Sequence, residues 1–341
     1  MRCSCQPVPG LCVRVPFRWL ASHHADRLLL RLEDGAVARR GAHRQGVVRQ
    51  AVSVRAPAKV NLLLRVLERR ADGFHELETL FQTIDLADEL TVELAGDSVA
   101  LEVTGADTGP VGDNLAFRAA QAYRHVADLK PGVRIRLAKN IPAGAGLGGG
   151  SSDAAATLRA LDHLTGGAVS TEALHAIAAG LGSDVPFFLC GSALALARGR
   201  GDELITAPSL PSAAVVLVCP PVHVATGPVY AALAERRALG GRQAHAQLER
   251  VPSDWDAVED IAANDFEPGV ADAHPEVRRA LGALRDAGLR LAMLSGSGGA
   301  CFGLVSSASE ASLTAQRLSD EFGWRVVATR TLEEVPAVET A

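Results

Sequence analysis

IPAGAGLGGGSSDAAATL, residues 141–158, is a run of glycines and small residues that opens directly into alanines and leucines suited to a helix. A flexible linker, a dinucleotide fingerprint and a phosphate cradle all use such letters. A linker lacks an adjoining strand and helix. Here GVRIRLAKNIP reads as a strand feeding the run, and residues from about 153 to 165 read as a helix stopped by Gly166 and Gly167. GAGLGG, residues 144–149, matches G-x-G-x-x-G letter for letter, the mark of a nicotinamide-dependent oxidoreductase. That fingerprint follows a hydrophobic strand directly and sits in a βαβ unit. Lys139, Asn140, Ile141 and Pro142 intervene here, and the preceding chain alternates as antiparallel strands do. A phosphate cradle fits better, although no lysine follows the glycines as in G-x-x-x-x-G-K-[ST]. Glycines let the backbone approach phosphates closely, and the helix beginning near Asp153 offers its positive end, with Ser151 or Ser152 as its cap.

Outward from this run the elements predict an α+β fold. Residues 51–55 and 59–67 are strand-like runs broken by Pro57, and LADELTVELAG and SVALEVTG continue an antiparallel pattern of period two. Asn114 introduces a helix through LAFRAAQAYRHVADL, a second helix covers about 171–181, and SALALARG is a strand. A second region starts near Pro208, with the strand AAVVLVCPP, helices in VYAALAERRAL and around HPEVRRALGALRDAG, and strands in LRLAMLSGSGGACFGLV and RVVATRTL. The order carries no regular βαβ repeat, which argues against a doubly wound sheet. The polar stretch 238–255 reads as a mobile loop or a short helix pair.

Composition sets the outer bounds. The 341 residues are 48% hydrophobic and 21% charged, enough for two domains with cores, and the net charge of −5 gives no general basic field for nucleic acid. VPFFLCGSALALA, residues 185–197, contains Pro186 and Gly191 and falls short of the roughly 20 residues of a membrane span. Cys3, Cys5, Cys12, Cys190, Cys219 and Cys301 show no CxxC pairing and read as reduced thiols. Residues 1–50 carry nine arginines, no lysine and three acids, and are expected to be a disordered or non-native extension. The fold is expected to begin at residue 51.

Three stretches, PAKVNLLL (57–64), PAGAGLGGGSS (142–152) and LSGSGGACF (294–302), resemble the three motifs of the GHMP small-molecule kinases, in order. RADGFHELETLFQTIDLAD (70–88) and LGSDVPFFLCGSALALARGRGDEL (181–204) are similar to the branch that phosphorylates the 2-hydroxyl of 4-diphosphocytidyl-2-C-methyl-D-erythritol in the non-mevalonate isoprenoid pathway. The resemblance spans roughly residues 51–335. It implies a two-domain GHMP kinase fold, with a ribosomal protein S5 domain 2-like N-terminal domain at 51–207, a ferredoxin-like C-terminal domain at 208–336 and a tail at 337–341.

The resemblance also implies roles. Lys59 and Asp184 match the catalytic pair: a carboxylate to take the hydroxyl proton, and a cation to hold it ionised and stabilise charge at the transferring phosphoryl group. Pro142, Ala143, Gly144, Ala145, Gly146, Leu147, Gly148, Gly149, Gly150, Ser151 and Ser152 match the ATP loop, with Asn114 and Lys139 near the adenine and phosphates. Asn61, Phe74 and His75 match positions around the cytidine, and Tyr230 an aromatic sandwiching the cytosine against Phe74. Thr226 and the third motif, Gly296, Ser297 and Gly298, complete the substrate side. Phe74 stands where the family often has tyrosine. Mg²⁺ is expected from ATP chemistry, with no ligand evident. The implied protein is a cytoplasmic monomer or homodimer that acts on a small molecule, with no nucleic-acid or membrane partner and no covalent intermediate. A homoserine- or mevalonate-type GHMP kinase, the oxidoreductase and a catalytically dead nucleotide-binding module are the alternatives.

Overall fold

The computed structural model describes residues 51–69, 75–239 and 247–341. The expected extension 1–50, Phe74 and part of the polar stretch at 240–246 lie outside the described residues. The chain begins with two long strands, β1 (Ala51–Arg69) and β2 (His75–Leu94), paired antiparallel. Pro57 does not divide β1 in two. The ladder shifts register between Pro57 and Ala58, so a bulge absorbs the missing amide and the strand continues.

That bulge has a consequence for which side chains go where. Val52, Val54 and Ala56 pack in the core under the helices, whereas Ala58, Val60 and Leu62 pack in the core facing the second sheet. Even-numbered residues change face at this register shift, where strict period-two alternation would have kept them together. Lys59 and Asn61 are thereby left on the face that carries Phe81 of the helix-side core.

β3 (Val99–Gly105), the helix α1 (Leu115–Ala127), β4 (Val133–Lys139), α2 (Gly149–Leu164), α3 (Thr171–Leu181), α4 (Val185–Leu189), β5 (Leu194–Arg198) and β6 (Glu203–Thr206) follow. β3 departs from the expected antiparallel pattern: it pairs with β4 in parallel, because α1 returns the chain to the same end of the sheet. Two further strands join this sheet from late in the chain. β8 (Ala263–Asn264) pairs with β1 in parallel, and β12 (Val338–Thr340) pairs antiparallel with Val52–Val54, so the expected tail is a sheet strand.

The second sheet has the order β11-β7-β10-β9, all antiparallel, from β7 (Ala214–Cys219), β9 (Arg290–Leu294), β10 (Cys301–Val305) and β11 (Arg325–Arg330). Between β7 and β9 run α5 (Thr226–Ala238), α6 (Trp255–Ile261), α7 (Glu267–Ala273) and α8 (Pro275–Asp286), and α9 (Ala308–Phe322) links β10 to β11. This strand order is ferredoxin-like, in a mixed α/β fold of two sheets. The core between the sheets joins Val60, Leu62 and Leu80 to Leu217, Met293 and Phe302. Leu62 and Phe302 are fully buried, each contributing about 1.5–3 kcal/mol of transfer free energy. β2 is buried on both faces at its middle: Phe81 enters the helix-side core and Leu80 the core between the sheets. Cys190, Cys219 and Cys301 are free thiols.

Candidate active site

The glycine loop runs from the end of β4 into α2. That helix starts at Gly149, four residues before the expected Asp153, and its N-cap is Gly148 in the left-handed region at φ 70° rather than either serine. Glycine is what allows it. A methyl group on Gly148 would lie 3.0 Å from two ring atoms of Phe188 and 3.1 Å from Lys59 Cγ. No side chain caps α2, and among the described residues the amides of Gly149, Gly150 and Ser151 have no acceptor. Ser152 is committed elsewhere: its hydroxyl donates to the Pro57 carbonyl at 2.7 Å and ties the helix to the β1 bulge. Free amides at an uncapped helix start are suited to phosphate oxygens.

Lys59 comes up beneath this loop. Its amide donates to Leu147 O at 3.0 Å, and its Nζ donates to Gly146 O at 2.8 Å and Asn61 Oδ1 at 2.6 Å. Asn61 in turn donates to Thr79 Oγ1 at 2.8 Å, so its amide faces Lys59 and β2. Asp184 lies at the start of α4, a helix absent from the sequence reading, and its Oδ2 is 3.7 Å from Lys59 Nζ. The lysine side chain is 4% exposed and the carboxylate 28%, so the pair opens to solvent on the acid's side. Burial lowers the Lys59 ammonium below its ordinary value, against the upward pull of Asp184.

Lys139 is also buried, but away from solvent. It is paired with Asp88 and, at 2.7 Å, with Asp153 Oδ2. Asp88 also accepts from the amides of Asn140 at 2.5 Å and Ile141 at 2.7 Å, so it fixes the strand-to-loop corner. Burial pulls Lys139 down, yet the two carboxylates outweigh it and its value rises. Burial pushes the Asp153 carboxyl up to about 7 even beside this lysine, and its Oδ1 has no partner. Asn114 caps α1 through Oδ1 to the Ala116 amide at 2.9 Å. Both residues, expected against ATP, hold protein groups here.

The third motif closes over the loop from the second sheet. Ala300 N donates to Ala145 O at 3.0 Å and Ser295 Oγ to Gly146 O at 3.2 Å. A methyl group on Gly298 would fall 2.2 Å from Ala145 C and Gly146 N, and one on Gly296 would lie 3.2 Å from Lys59 Nζ. Asn264 Nδ2 holds this turn through Leu294 O and Gly296 O at 2.9 and 2.8 Å. Beside it opens a cavity of about 420 Å³ lined by Gly144, Gly146, His223, Val224, Ala225, Thr226, Ser297 and Gly298. Thr226 Oγ1 and Ser297 Oγ are 3.3 Å apart there.

His75 and Tyr230 stack with ring centroids 5.1 Å apart, and Tyr230 meets Phe266 edge-on at 4.8 Å. The rings of His75 and Tyr230 are in direct contact. Burial first, and the charge of Asp184 second, raise the Tyr230 hydroxyl above its ordinary value. Tyr230 therefore lies within electrostatic reach of the carboxylate. Asp88, Asn264 and His223 escaped the sequence reading, since each is far along the chain from what it serves and none has a local pattern.

The chain resembles known proteins over most of its length. The GHMP kinases N terminal domain matches residues 114–192 and the GHMP kinases C terminal domain residues 244–323. A 4-diphosphocytidyl-2-C-methyl-D-erythritol kinase of Prosthecochloris aestuarii is 41% identical over 282 residues, covering 79% of this chain and 94% of its own. One from Geobacter metallireducens is 39% identical over 284 residues, covering 83% and 99%. The crystal structure of a 4-(cytidine 5'-diphospho)-2C-methyl-D-erythritol kinase superposes with a TM-score of 0.65 at 39% identity, over 82% of this chain and 98% of that one. The chain belongs to the GHMP kinases and, among them, to the 4-diphosphocytidyl-2-C-methyl-D-erythritol kinase family.

Proposed function

We propose that this protein transfers the γ-phosphoryl group of ATP to the 2-hydroxyl of 4-diphosphocytidyl-2-C-methyl-D-erythritol, a step in non-mevalonate isoprenoid precursor synthesis. The names of its relatives favour this substrate over homoserine or mevalonate. The observation that carries the mechanism is the Lys59–Asp184 pair, 3.7 Å apart at the foot of a glycine loop with unpaired amides. ATP phosphates lie on the amides of Gly149, Gly150 and Ser151 at the positive end of α2. Asp184 accepts the hydroxyl proton as the substrate oxygen attacks in line. Lys59, held by Asn61 and Gly146 O, keeps Asp184 ionised and offsets charge growing on the transferring group. The cytidine end lies toward His75 and Tyr230.

Mg²⁺ accompanies ATP in this chemistry and neutralises charge on its phosphates. Among the described residues no group of three or more His, Cys, Asp or Glu could hold a metal ion, so Mg²⁺ would be held chiefly by the nucleotide phosphates. We place the division between the two domains near residue 208, where the chain leaves β6 for the second sheet. None of the described helices is long and apolar enough to cross a membrane.

Steady-state turnover with Mg-ATP and the cytidine substrate tests the reading. The wild type turns over, and Asp184→Asn lowers kcat by about 10²–10⁴-fold. Near-full activity in Asp184→Asn removes the carboxylate from the proton transfer, and turnover of homoserine or mevalonate in place of the cytidine compound removes the substrate assignment.

A further inference from the structure

His223 is exposed at the edge of the glycine loop and makes no hydrogen bond to any described residue. Its neighbours fix where it points. Val222 and Val224 face the third glycine turn, where a methyl group on Gly299 would lie 2.9 Å from Val222 Cγ2 and 3.6 Å from Val224 Cγ2. Val224 is buried, which anchors the segment between β7 and α5. His223 stands between these valines and meets the other wall, where a methyl group on Gly144 would lie 3.1 Å from its Nδ1. The imidazole is thus held over the loop rather than free on the surface.

The cavity it enters has a consistent chemistry. Its lining holds the hydroxyls of Thr226 and Ser297, the imidazole of His223 and the backbone of two glycine-rich turns, and no carboxylate. Ala225, at the N-cap of α5, supplies no side-chain acceptor to that helix, so its first amides compete for nothing local. Donors without acidic neighbours suit phosphoryl oxygens, and an imidazole N–H adds one more donor.

We propose that His223 donates a hydrogen bond to a phosphoryl oxygen of the bound ligands, and so is a binding residue of the transfer site. The assignment rests on the kinase reading above. Two phosphate groups share the required chemistry: the phosphate chain of ATP and the diphosphate of the cytidine substrate. His223 reads one of them across the seam between the glycine loop and the third motif.

The test is steady-state kinetics of His223→Ala and His223→Gln, with each ligand varied at saturating concentration of the other. In His223→Ala the KM of one ligand rises about tenfold, more than kcat falls. His223→Gln, which keeps an N–H donor, recovers part of that loss, and Tm stays at the wild-type value because the side chain is exposed. A rise for ATP assigns the contact to the donor; a rise for the cytidine substrate assigns it to the diphosphate. Both KM values within about twofold of wild type in both variants overturn the inference, as does a rise that tracks a fall in Tm. Calorimetric titration with the cytidine substrate and with a non-hydrolysable ATP analogue reads the same contact directly. A wild type that binds both but transfers nothing refutes the kinase reading while His223 is still judged by binding.

Discussion

Lys139→Met removes the only cation from a buried cluster and leaves two acids behind. Asp88 is 0% exposed, Asp153 3% and Lys139 4% in their side chains, so water cannot replace the ammonium without opening the structure. Breaking a buried pair by deleting one partner costs about 3–5 kcal/mol, a fifth or more of the stability of an ordinary domain. Asp88 keeps the amides of Asn140 and Ile141, so the heavier loss falls on Asp153, whose Oδ1 already lacks a partner. Asp153 can escape by taking a proton, and burial has already pushed it up to about 7. The destabilisation should therefore be larger at pH 8 than at pH 5, where Asp153 is protonated with or without the lysine. Urea unfolding of wild type and variant at both pH values measures this. Lys139→Met/Asp153→Leu should recover part of the loss, because a packed apolar group replaces an unpaired charge. A loss below about 1 kcal/mol at pH 8, or a double variant whose losses simply add, refutes the account of the cluster as a buried clamp.

Asp153→Asn isolates the titration. In the wild type the folded value of about 7 lies above the ordinary 3.8, so the folded protein holds a proton that the unfolded chain has lost, and stability falls as pH rises from about 4 to 7. The Asn variant should lose that slope, read from Tm across this range; an unchanged slope places the titration elsewhere. Gly148→Ala puts a methyl group at φ 70° and within 3.1 Å of Lys59 Cγ, so kcat should fall further than a strain of about 1–2 kcal/mol in stability explains. Equal kcat in the folded Ala variant shows that Lys59 does not depend on this close fit. Ending the chain at residue 336 removes β12 and bares the β1 edge, which should lower Tm; an unchanged Tm makes the strand dispensable.

Most strands, the helices α1, α3, α5 and α8 and the glycine loop were legible because each announces itself locally, by period, by cap residues or by glycine, whereas α4, α6, α7, α9 and the short strands β6 and β8 were not read. Asn114 at the head of α1 and Gly182 at the end of α3 are such signals, and both are where they were expected. Apart from α9, which has its own Ser307 cap, much of what was missed depends on distant chain. β12 is three residues long, and only the open edge of β1 makes it a strand. The start of α2 moved to Gly149 because Lys59, Phe188 and Ile141 pack against glycines that helix propensity alone would leave in a loop. Lys139 resembles a phosphate lysine in its position before the loop, yet Asp88, 51 residues earlier, takes it into the interior.

The β1 bulge explains why these pieces meet. A strand of strict period two would keep Ala58, Val60 and Leu62 on the helix side with Val52, Val54 and Ala56, and would turn Lys59 to the opposite face, away from Phe81. By inserting one shift at Pro57, β1 serves two cores in succession and turns Lys59 toward Phe81 and the loop. Ser152 then fastens the loop's helix to the Pro57 carbonyl, so the same residue that interrupts the ladder anchors the phosphate end of α2. Gly146 O receives both the Lys59 ammonium and the Ser295 hydroxyl, one from each sheet. Displacing Pro57 would therefore disturb the lysine, the helix start and the seam together, which is why a proline in mid-strand is tolerated here at the site and would be a defect elsewhere.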